Sequence, residues 1–335
     1  MSARRLLVTG GAGFIGANLI RFLVSHRPRW EIWNLDLLTY AGCTRRLAGL
    51  ETCSPQPFYR FVQGDVADPA VVESLFAEGI DSVVHLAAES HVDRSLAGVR
   101  PFISTNVAGT AALLEGARRY GTRLFVQVST DEVYGEVDHP ARNPEAAPLR
   151  PGNPYSATKA GADHLAAAYA RCYGVPVAVV RPVNNYGPYQ LPEKLIPLLI
   201  TNALDGIPLP IYGDGRQVRE WIHVEDLCRA FLAILERGRP GRIYNVGTAE
   251  ECANLEVARR ILAILGLPAS LIRHVEDRAG HDRRYALEAE LIREELGWRP
   301  TWTLADGLPL TVRWYSENRP WWEPLRSRAG LSQHS

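Results

Sequence analysis

Lysine, cysteine and long apolar runs are all scarce in this sequence. Only Lys159 and Lys194 stand against 35 arginines, so each lysine is a candidate for a site that needs a compact ammonium group. The five cysteines are scattered and show no CxxC spacing, which argues against a disulfide framework and against a zinc site. No apolar run approaches the roughly 18 residues of a membrane span, and the first one is too short for a signal peptide. We therefore expect a cytoplasmic protein without a bound metal.

Net charge is also lacking, because 37 basic residues balance 37 acidic ones. A neutral chain offers no extended positive field for a nucleic-acid backbone or an anionic membrane, so neither is an expected partner. Hydrophobic residues make up 46% and charged residues 22% of the 335 positions, which is enough apolar material for a large core. The length suggests one large domain or two closely joined ones.

Short segments rich in Val and Leu alternate with helical patterns through the first half of the chain. Residues 6–9 have the pattern of a buried strand, and a glycine turn and a helix over 14–26 follow. Further helices are predicted at residues 70–77, 105–119, 155–173, 255–265 and 286–296. Because the strands are apolar throughout rather than alternating, they predict a parallel sheet that helices cover on both faces. The expected fold class is thus α/β with a doubly wound sheet.

A glycine-rich turn joins the first strand to the first helix. The run GAGFIG at residues 11–16 matches GxGxxG, and Gly10, Gly13 and Gly16 match a shifted spacing of the same kind. The first glycine permits a tight turn, the middle one lets the backbone approach a pyrophosphate, and Gly16 allows the helix to pack closely on the strand. The free N–H groups at the helix start then face the phosphates. This context predicts a dinucleotide site of the Rossmann type.

Asp36 ends the next strand, about 20 residues after the glycine turn. A carboxylate there accepts a hydrogen bond from the ribose 2′-hydroxyl and repels a 2′-phosphate, and Leu37 follows it rather than an arginine, so NAD is favoured over NADP. Later strands end at Asp65 and Val66 and at residues 86–88, where the adenine and the nicotinamide ribose are expected.

The texture of the sequence changes after about residue 183, where Pro and Gly become denser and the strand patterns shorten. We expect residues 1–182 to form the NAD-binding Rossmann domain. Residues 183–335 are expected to form mainly a smaller α/β portion that binds the substrate over the carboxyl ends of the strands. Segments near 223–247 are predicted to return to the main sheet, so the boundary is not a clean cut.

Tyr155 and Lys159 are four residues apart, which places them on one face of a predicted helix. A phenol has a pKa near 10 and is a poor base at pH 7. A fixed ammonium group beside it, together with the charge of oxidised nicotinamide, favours the phenolate. Tyr155 is therefore a candidate acceptor for a hydroxyl proton. The spacing alone is common in unrelated helices, and it gains meaning only downstream of the glycine turn.

Thr130, Asp131 and Glu132 follow an apolar strand, beside the expected position of the nicotinamide. Two adjacent carboxyls at an exposed strand end are ordinarily solvated. In a cleft that excludes water, like charges held close raise one pKa, so one carboxyl can be a protonated acid while its neighbour serves as base. A dehydration requires such a pair, whereas a simple hydride transfer does not.

Further motifs occur in order along the chain: LDLLTYAG, HLAAESHVDRS, STDEVYGE, NPYSATKAGAD, NNYGPYQLPEKLIPL, YGDGRQVREWIHVEDLCRA and DRAGHDRRYALE. Together with TGGAGFIG, they resemble the dTDP-glucose 4,6-dehydratases, a family of extended short-chain dehydrogenases, from about residue 6 to residue 322. Departures are few. Cys43 stands where the family usually has Asn, Pro182 and Val183 replace a small polar pair, and Ala279 replaces Pro.

The resemblance implies that Tyr155 takes the proton from the hydroxyl on sugar carbon 4 while a hydride passes to NAD. Glu132 then removes the proton on carbon 5 as Asp131 protonates the leaving hydroxyl on carbon 6, and the hydride returns to carbon 6. Thr130 would bond the sugar near carbon 4, and Lys159 completes the catalytic group. NAD is regenerated in each turnover and is expected to stay tightly bound.

The resemblance also implies two sets of binding residues. The NAD set comprises Gly10, Gly13, Phe14, Ile15, Gly16, Asp36, Leu37, Leu38, Thr39, Asp65, Val66, Leu86, Ala87, Ala88, Thr105, Tyr155, Lys159 and Asn185. The set for the substrate dTDP-glucose comprises Ser90, Thr130, Asn184, Lys194, Leu195, Pro210, Ile211, Tyr212, Arg219, Asn254, Asp277, Arg278 and His281. Lys194 and Arg219 suit a diphosphate, one as a point charge and the other as a fork.

Other functions remain open at this point. A UDP-sugar 4,6-dehydratase differs only in one methyl group on the base, and a nucleotide-sugar 4-epimerase would need Tyr155 and Lys159 but not the carboxyl pair. A non-catalytic NAD-binding regulator could lose all of these residues without penalty. The family resemblance further implies a homodimer paired through a four-helix bundle, for which the Ala-rich helices at 105–119 and 155–173 are the candidates.

Overall fold

Twelve strands occur in the part of the chain that this computed structural model describes, residues 4–50 and 59–328. They are β1 Arg5–Thr9, β2 Glu31–Asp36, β3 Tyr59–Gln63, β4 Ser82–His85, β5 Leu124–Val128, β6 Val177–Pro182, β7 Asn184–Tyr186, β8 Leu209–Tyr212, β9 Val218–His223, β10 Ile243–Val246, β11 Glu251–Ala253 and β12 Ile272–Val275. Cys53 lies outside the described residues, as do residues 1–3 of the predicted NAD-binding domain and residues 329–335 of the predicted substrate-binding portion.

Seven of these strands form the main sheet, in the order β3-β2-β1-β4-β5-β6-β10, and every neighbouring pair is parallel. The predicted doubly wound parallel sheet is confirmed. The chain reverses its direction of winding between β1 and β4, and ligands of such sheets bind in the crevice at the carboxyl ends of the strands at this point. Strand β10 pairs with β6, so the segment after residue 223 contributes to the main sheet.

Helices cover both faces of this sheet and build most of the rest of the molecule. They are α1 Phe14–His26, α2 Pro69–Ala77, α3 Val92–Ala97, α4 Arg100–Phe102, α5 Thr110–Tyr120, α6 Pro154–Tyr173, α7 Leu195–Leu204, α8 Val224–Arg237, α9 Asn254–Leu265, α10 Glu290–Leu296, α11 Leu304–Glu317 and α12 Arg319–Arg328. No helix among the residues described is long and apolar enough to cross a bilayer.

Two helix predictions differ from the structure. The helix expected at 286–296 begins only at Glu290, because the preceding residues are extended: the Ala286 carbonyl accepts the N–H of Asn143 at 2.9 Å. The helix expected at 105–119 continues a turn that starts at Arg100, and Ile103–Gly109 is wound as a π-helix before α5. Within it, the Asn106 carboxamide bonds the backbone of Glu89.

Helices α3, α7, α8, α11 and α12 were not predicted from the sequence. The segment around α7 is rich in Pro, but Pro197 lies in the first turn of this helix, where a missing N–H costs no intrahelical hydrogen bond.

The hydrophobic core explains why the strands are apolar on both sides. On β1, Leu6 and Val8 pack with α1 and α8, whereas Leu7 faces the opposite layer with α2 and α5. A separate core lies beyond residue 183, where α7, α9, α11 and α12 enclose Trp322 and Tyr315. Two small sheets, β11-β9-β7 and β12-β8, belong to this second region. Because β7 follows β6 directly, this region begins at the carboxyl edge of the main sheet.

Candidate active site

A cavity of about 310 Å³ lies at the carboxyl edge of the sheet, between the two cores. Most of the predicted site residues line it: Gly10, Gly13, Phe14, Ile15, Gly16, Asp36, Leu37, Thr39, Asp65, Val66, Leu86, Ala87, Ala88, Ser90, Thr105, Thr130, Asp131, Glu132, Tyr155, Lys159, Asn184, Asn185 and Lys194. Lining residues that the sequence analysis missed include Arg46, Glu89, Gln190 and Glu193. Pro182 and Val183, two of the departures from the family pattern, also line it.

The remaining predicted residues do not line this cavity: Leu38, Leu195, Pro210, Ile211, Tyr212, Arg219, Asn254, Asp277, Arg278 and His281. Several of them form an adjoining cluster. The Asp277 carboxylate lies 2.6 Å from Nδ1 of His281, and Arg278 lies 3.5 Å from the carboxylate of Asp93 on α3. The Arg219 guanidinium donates to the carbonyl of Asp282 at 2.8 Å and stacks on a tyrosine ring.

The glycine turn has the close backbone approaches that its sequence predicted. Gly10 has a φ of +70°, and a Cβ there would lie 2.7 Å from the backbone nitrogen of Ala87. A Cβ on Gly16 would collide with the carbonyl oxygen of Gly10. Helix α1 starts at Phe14 with no acidic residue in its first turn, so its free N–H groups face the cavity with no negative side chain of that turn beside them. This cradle suits a diphosphate.

Asp36 lies beside the glycine turn and is fixed by two backbone hydrogen bonds. One carboxylate oxygen accepts the N–H of Ala12 at 2.9 Å and the other accepts the N–H of Leu38 at 2.8 Å. Burial raises the pKa of this carboxyl, and the two N–H groups oppose the rise. Each oxygen keeps a lone pair beyond its backbone bond, which is what a ribose hydroxyl requires. The cavity therefore fits a dinucleotide at both its phosphate and its ribose positions.

The carboxyl of Asp131 is buried in the cavity wall. Only 3% of the residue is exposed, and Thr130 Oγ1 donates to one of its oxygens at 3.1 Å. Among the described residues, the other oxygen has no hydrogen-bond partner. Burial, followed by the nearby charge of Glu132, raises the pKa of Asp131 to about 8. Asp131 therefore holds its proton at pH 7, in a place where it can give that proton to a ligand.

Glu132 is joined to the helix that carries Tyr155. Its carboxylate accepts a hydrogen bond from the Asn153 side chain at 3.2 Å. The same asparagine caps α6 by accepting the N–H of Ser156 at 2.9 Å, as half of a capping box. The position of Glu132 is thus fixed relative to the start of this helix.

Tyr155 and Lys159 lie on one face of α6, as the spacing predicted, and both are buried. The ammonium group of Lys159 donates to the carbonyl of Val128 at 2.6 Å, and burial lowers its pKa to about 8. Burial, and then the charges of Glu132 and Asp131, raise the pKa of Tyr155. These surroundings oppose ionisation of the phenol, and the expected effect of Lys159 together with oxidised nicotinamide on the phenolate stays a prediction.

A buried network that the sequence analysis missed lies behind this face. The Asp163 carboxylate accepts from Ser129 Oγ at 2.9 Å and from the Arg181 guanidinium at 3.0 Å. Arg181 in turn donates to the hydroxyl of Tyr134 at 2.7 Å. The signal was present in the helix period, since Asp163 follows Lys159 by four residues on the buried face of α6. The network fixes the carboxyl end of β5, from which the carboxyl pair extends.

Lys194 also lines the cavity, and its ammonium group donates to the carbonyl of Ser90 at 3.1 Å. Burial lowers its pKa. Asn184 and Asn185 are nearby, and each has a buried side-chain oxygen without a partner in the described part of the chain. These groups leave donors and acceptors free for a polar ligand. No cluster of three or more His, Cys, Asp or Glu side chains that could hold a metal occurs within residues 4–50 and 59–328.

Comparison with known proteins places these features in context. A family model described as GDP-mannose 4,6 dehydratase matches residues 7–311. A dTDP-glucose 4,6-dehydratase of Streptomyces antibioticus is 47% identical over 328 residues, which cover 96% of each chain. The solved structure of the dTDP-glucose 4,6-dehydratase DesIV of Streptomyces venezuelae, with NAD and TDP bound, is 51% identical. It matches with a TM-score of 0.92 over 96% of this chain and 99% of that one.

A UDP-glucose 4-epimerase of Thermus thermophilus, solved with NAD, is 31% identical with a TM-score of 0.86, over 94% of this chain and 99% of that one. The fold is therefore shared with an enzyme that catalyses a different reaction. The two Streptomyces dehydratases are more similar in sequence to this chain than the epimerase is.

Proposed function

Because the chain belongs to the GDP-mannose 4,6 dehydratase family, we propose that it is an NAD-dependent hydro-lyase that converts dTDP-glucose to dTDP-4-keto-6-deoxyglucose and water. The observation that carries this proposal is the buried Asp131 beside the half-buried Glu132, in the same cavity as Tyr155. A 4-epimerase has no use for this pair, although it shares the scaffold. A non-catalytic NAD-binding protein would need none of the three residues.

The cofactor site consists of the glycine turn, the start of α1 and Asp36. When bound, NAD supplies a hydride acceptor for carbon 4 of the sugar and a hydride donor for carbon 6. The N–H groups at the start of α1 bind its diphosphate, and Asp36 accepts from a ribose hydroxyl. The NAD-binding and substrate-binding residues that the family resemblance implied remain part of this proposal.

Tyr155 acts first, as the acceptor of the proton on the carbon 4 hydroxyl. Only the phenolate form of Tyr155 can accept this proton. Burial and the neighbouring carboxyls oppose that form, so the ammonium group of Lys159 and the charge of bound oxidised nicotinamide would have to stabilise it. Thr130 bonds the same region of the sugar, and the positive charge of Lys159 offsets part of the phenolate charge. Tyr155 and Lys159 are both buried, so these charges are only weakly screened by water.

The carboxyl pair then performs the elimination. Once carbon 4 is a ketone, the proton on carbon 5 is acidic, and Glu132 removes it. The carboxyl of Asp131 still holds a proton at neutral pH, so Asp131 can protonate the hydroxyl on carbon 6. That hydroxyl then leaves as water. Glu132 later returns its proton to carbon 5. The proton that Tyr155 gains from the carbon 4 hydroxyl equals the one that Asp131 loses, so the enzyme is restored after one proton passes between them.

The test of this function is product formation. The protein is incubated separately with dTDP-glucose and UDP-glucose, and the 4-keto product is measured by its absorbance in alkali. We expect conversion of dTDP-glucose. Glu132→Gln should abolish product while leaving NAD binding intact, and Glu136→Gln, on the exposed part of the same loop, is the matched control. Turnover of Glu132→Gln near the parent rate would contradict the assigned elimination, and faster conversion of UDP-glucose would reassign the substrate.

The oligomeric state proposed here is a homodimer paired through α5 and α6. The neighbouring surface exposes apolar side chains, including Ile103 at 48% and Tyr173 at 59%. Such exposed apolar groups favour burial against a second copy. Light scattering should show a dimer for the parent protein and a monomer for Ile103→Glu, whereas Leu310→Glu, an exposed apolar position on α11, should stay dimeric. A monomeric parent protein would refute the assignment.

The assignment of NAD binding and substrate binding to different parts of the chain is also a proposal. Residues 1–182, with the returning segments near 223–247, hold NAD, and the rest of residues 183–335 binds mainly the nucleotide-sugar part. The cysteines described in the structure, Cys43, Cys172, Cys228 and Cys252, are unpaired, which suits the proposed cytoplasmic location. Fractionation of cells that produce the protein would test the location, and recovery in a membrane or secreted fraction would contradict it.

A further inference from the structure

Arg46 is a fully buried arginine at the wall of the cavity, on the short 3₁₀ turn Thr44–Leu47. Its guanidinium donates to three backbone carbonyls: those of Ala12 and Ala41 at 2.7 Å each, and that of Tyr189 at 2.9 Å. These carbonyls belong to three separate segments, which are the glycine turn, the loop after Asp36 and the loop before α7. The remaining terminal nitrogen, Nη2, has no partner among the described residues.

Ala12 connects this arginine to the ribose position. Its N–H donates to the Asp36 carboxylate at 2.9 Å, and its carbonyl accepts both from Arg46 and from the N–H of Cys43 at 3.0 Å. Ala12 is therefore fixed at both ends. If Arg46 is removed, the glycine turn loses one of the two bonds that hold this carbonyl, and Asp36 is left with a less fixed partner.

The same guanidinium also contacts helix α12. It lies 5.4 Å from the ring centroid of Trp321 on α12, and Trp321 packs on Tyr189 and Trp314 at 5.4 and 5.1 Å. A cation so placed on an aromatic face is attracted to it. Arg46 thus connects the glycine turn, the loop before α7 and the C-terminal helices α11 and α12 at a single point beside the cofactor cavity.

A buried guanidinium is costly unless its N–H groups find partners. Three carbonyls from three segments satisfy the geometry that only the planar fork of arginine offers, because a lysine ammonium cannot span them. Partners 34 and 143 positions away along the chain also show that the residue crosslinks loops rather than supporting its own turn.

We propose that Arg46 is a positioning residue of the NAD site, which holds the glycine turn and the loop behind Asp36 in the shape that retains the cofactor. The inference rests on the proposed function only in that NAD binds this cavity. A purely structural arginine would affect both binding sites when it is removed. Loss of Arg46 should instead weaken NAD binding selectively and leave the nucleotide half of the substrate site intact.

The test compares Arg46→Met and Arg46→Lys with the parent protein. Calorimetric titration measures the Kd of NAD and, separately, the Kd of TDP. We expect the Kd of NAD to rise about tenfold or more in Arg46→Met, while that of TDP changes less than about twofold. Arg46→Lys keeps the charge but not the three bonds, so it should stay nearer to Arg46→Met than to the parent.

Controls keep the result unambiguous. Arg284→Met removes another buried arginine that bonds several loop carbonyls away from the glycine turn, and it should leave the Kd of NAD unchanged. If Arg46→Met does not fold, Arg46→Lys carries the measurement alone. Equal weakening of NAD and TDP, an unchanged Kd of NAD, or full recovery in Arg46→Lys would each overturn the proposal. A parent protein that binds no NAD would instead refute the proposed function.

Discussion

Replacing Asp131 with Asn tests whether the buried carboxyl holds a proton at neutral pH. In the folded protein, burial and then Glu132 raise the pKa of Asp131 from 3.8 to about 8. At pH 7 a carboxyl of pKa 8 is about 90% protonated, whereas one of pKa 3.8 is protonated less than about 0.1% of the time. The site thus increases the population of the acid roughly a thousandfold, and this population is what the elimination uses.

The same shift carries a cost in stability, because the unfolded chain releases the proton that the folded chain keeps. Between pH 3.8 and about 8 the folded state binds one proton more than the unfolded state, so the free energy of unfolding falls as pH rises. The slope is about 1.4 kcal/mol per pH unit, and the 3.2 units up to pH 7 amount to about 4 kcal/mol. An asparagine at this position is neutral at every pH and escapes this cost.

Urea unfolding of both proteins at pH 5.5 and 7.5, at a fixed NAD concentration, measures the effect. The free energy of unfolding of Asp131→Asn, relative to the parent, should increase by about 3 kcal/mol between these pH values. Asp138→Asn, on an exposed loop, is the matched control and should show no such change. Product formation by Asp131→Asn should fall by about two to four orders of magnitude. If the difference in stability stays level, Asp131 is not the buried acid, and the assignment is wrong.

Three further predictions test other parts of the structure. Gly16→Ala should abolish NAD binding in a fluorescence titration with NADH, because its Cβ would collide with the Gly10 carbonyl; retained affinity would contradict the role of the turn. Arg181→Met should lower the free energy of urea unfolding by about 3 to 5 kcal/mol, because it removes the guanidinium that hydrogen-bonds the buried Asp163 carboxylate. The double variant with Asp163→Leu should recover part of that loss, and no recovery would show that the ion pair is not the cause. Burial lowers the pKa of Lys159 to about 8, so between pH 8 and 10 the unfolded chain binds more protons than the folded one. From pH 8 to pH 10, the free energy of unfolding of the parent should therefore rise by about 3 kcal/mol relative to that of Lys159→Met. A difference that stays constant over this range would refute the burial of a charged amine.

The parts of the fold that could be predicted from the sequence are those set by neighbouring residues. The glycine turn, Asp36 and the pair of Tyr155 and Lys159 all have local spacings whose geometry is fixed by one strand end or one helix face. The apolar strands predicted a parallel sheet for the same reason. In each case the interacting groups are close in sequence, or the fold class itself determines where they meet.

Contacts between distant segments could not be predicted in this way. Arg46 has no motif around it, and its role depends on a carbonyl at Tyr189, which only the folded chain brings near. The hydrogen bond from Lys159 to the Val128 carbonyl likewise joins a helix to a strand end 31 residues earlier. Because the pKa of Tyr155 depends on burial and on the carboxyl pair together, its direction required the packed structure rather than the spacing.

These pKa values also order the chemistry. The negative charges of Glu132 and Asp131 both raise the pKa of Tyr155, so the phenol loses a proton most easily while Asp131 still holds its own. Once Asp131 has protonated the leaving hydroxyl, its new charge makes Tyr155 hold the proton taken from carbon 4 more firmly. One proton must still move from Tyr155 to Asp131, against this preference, before both groups are ready for the next turnover. A site in which the acid were ionised from the start would oppose the oxidation as well as the elimination, which is a physical reason for burying Asp131 beside the phenol.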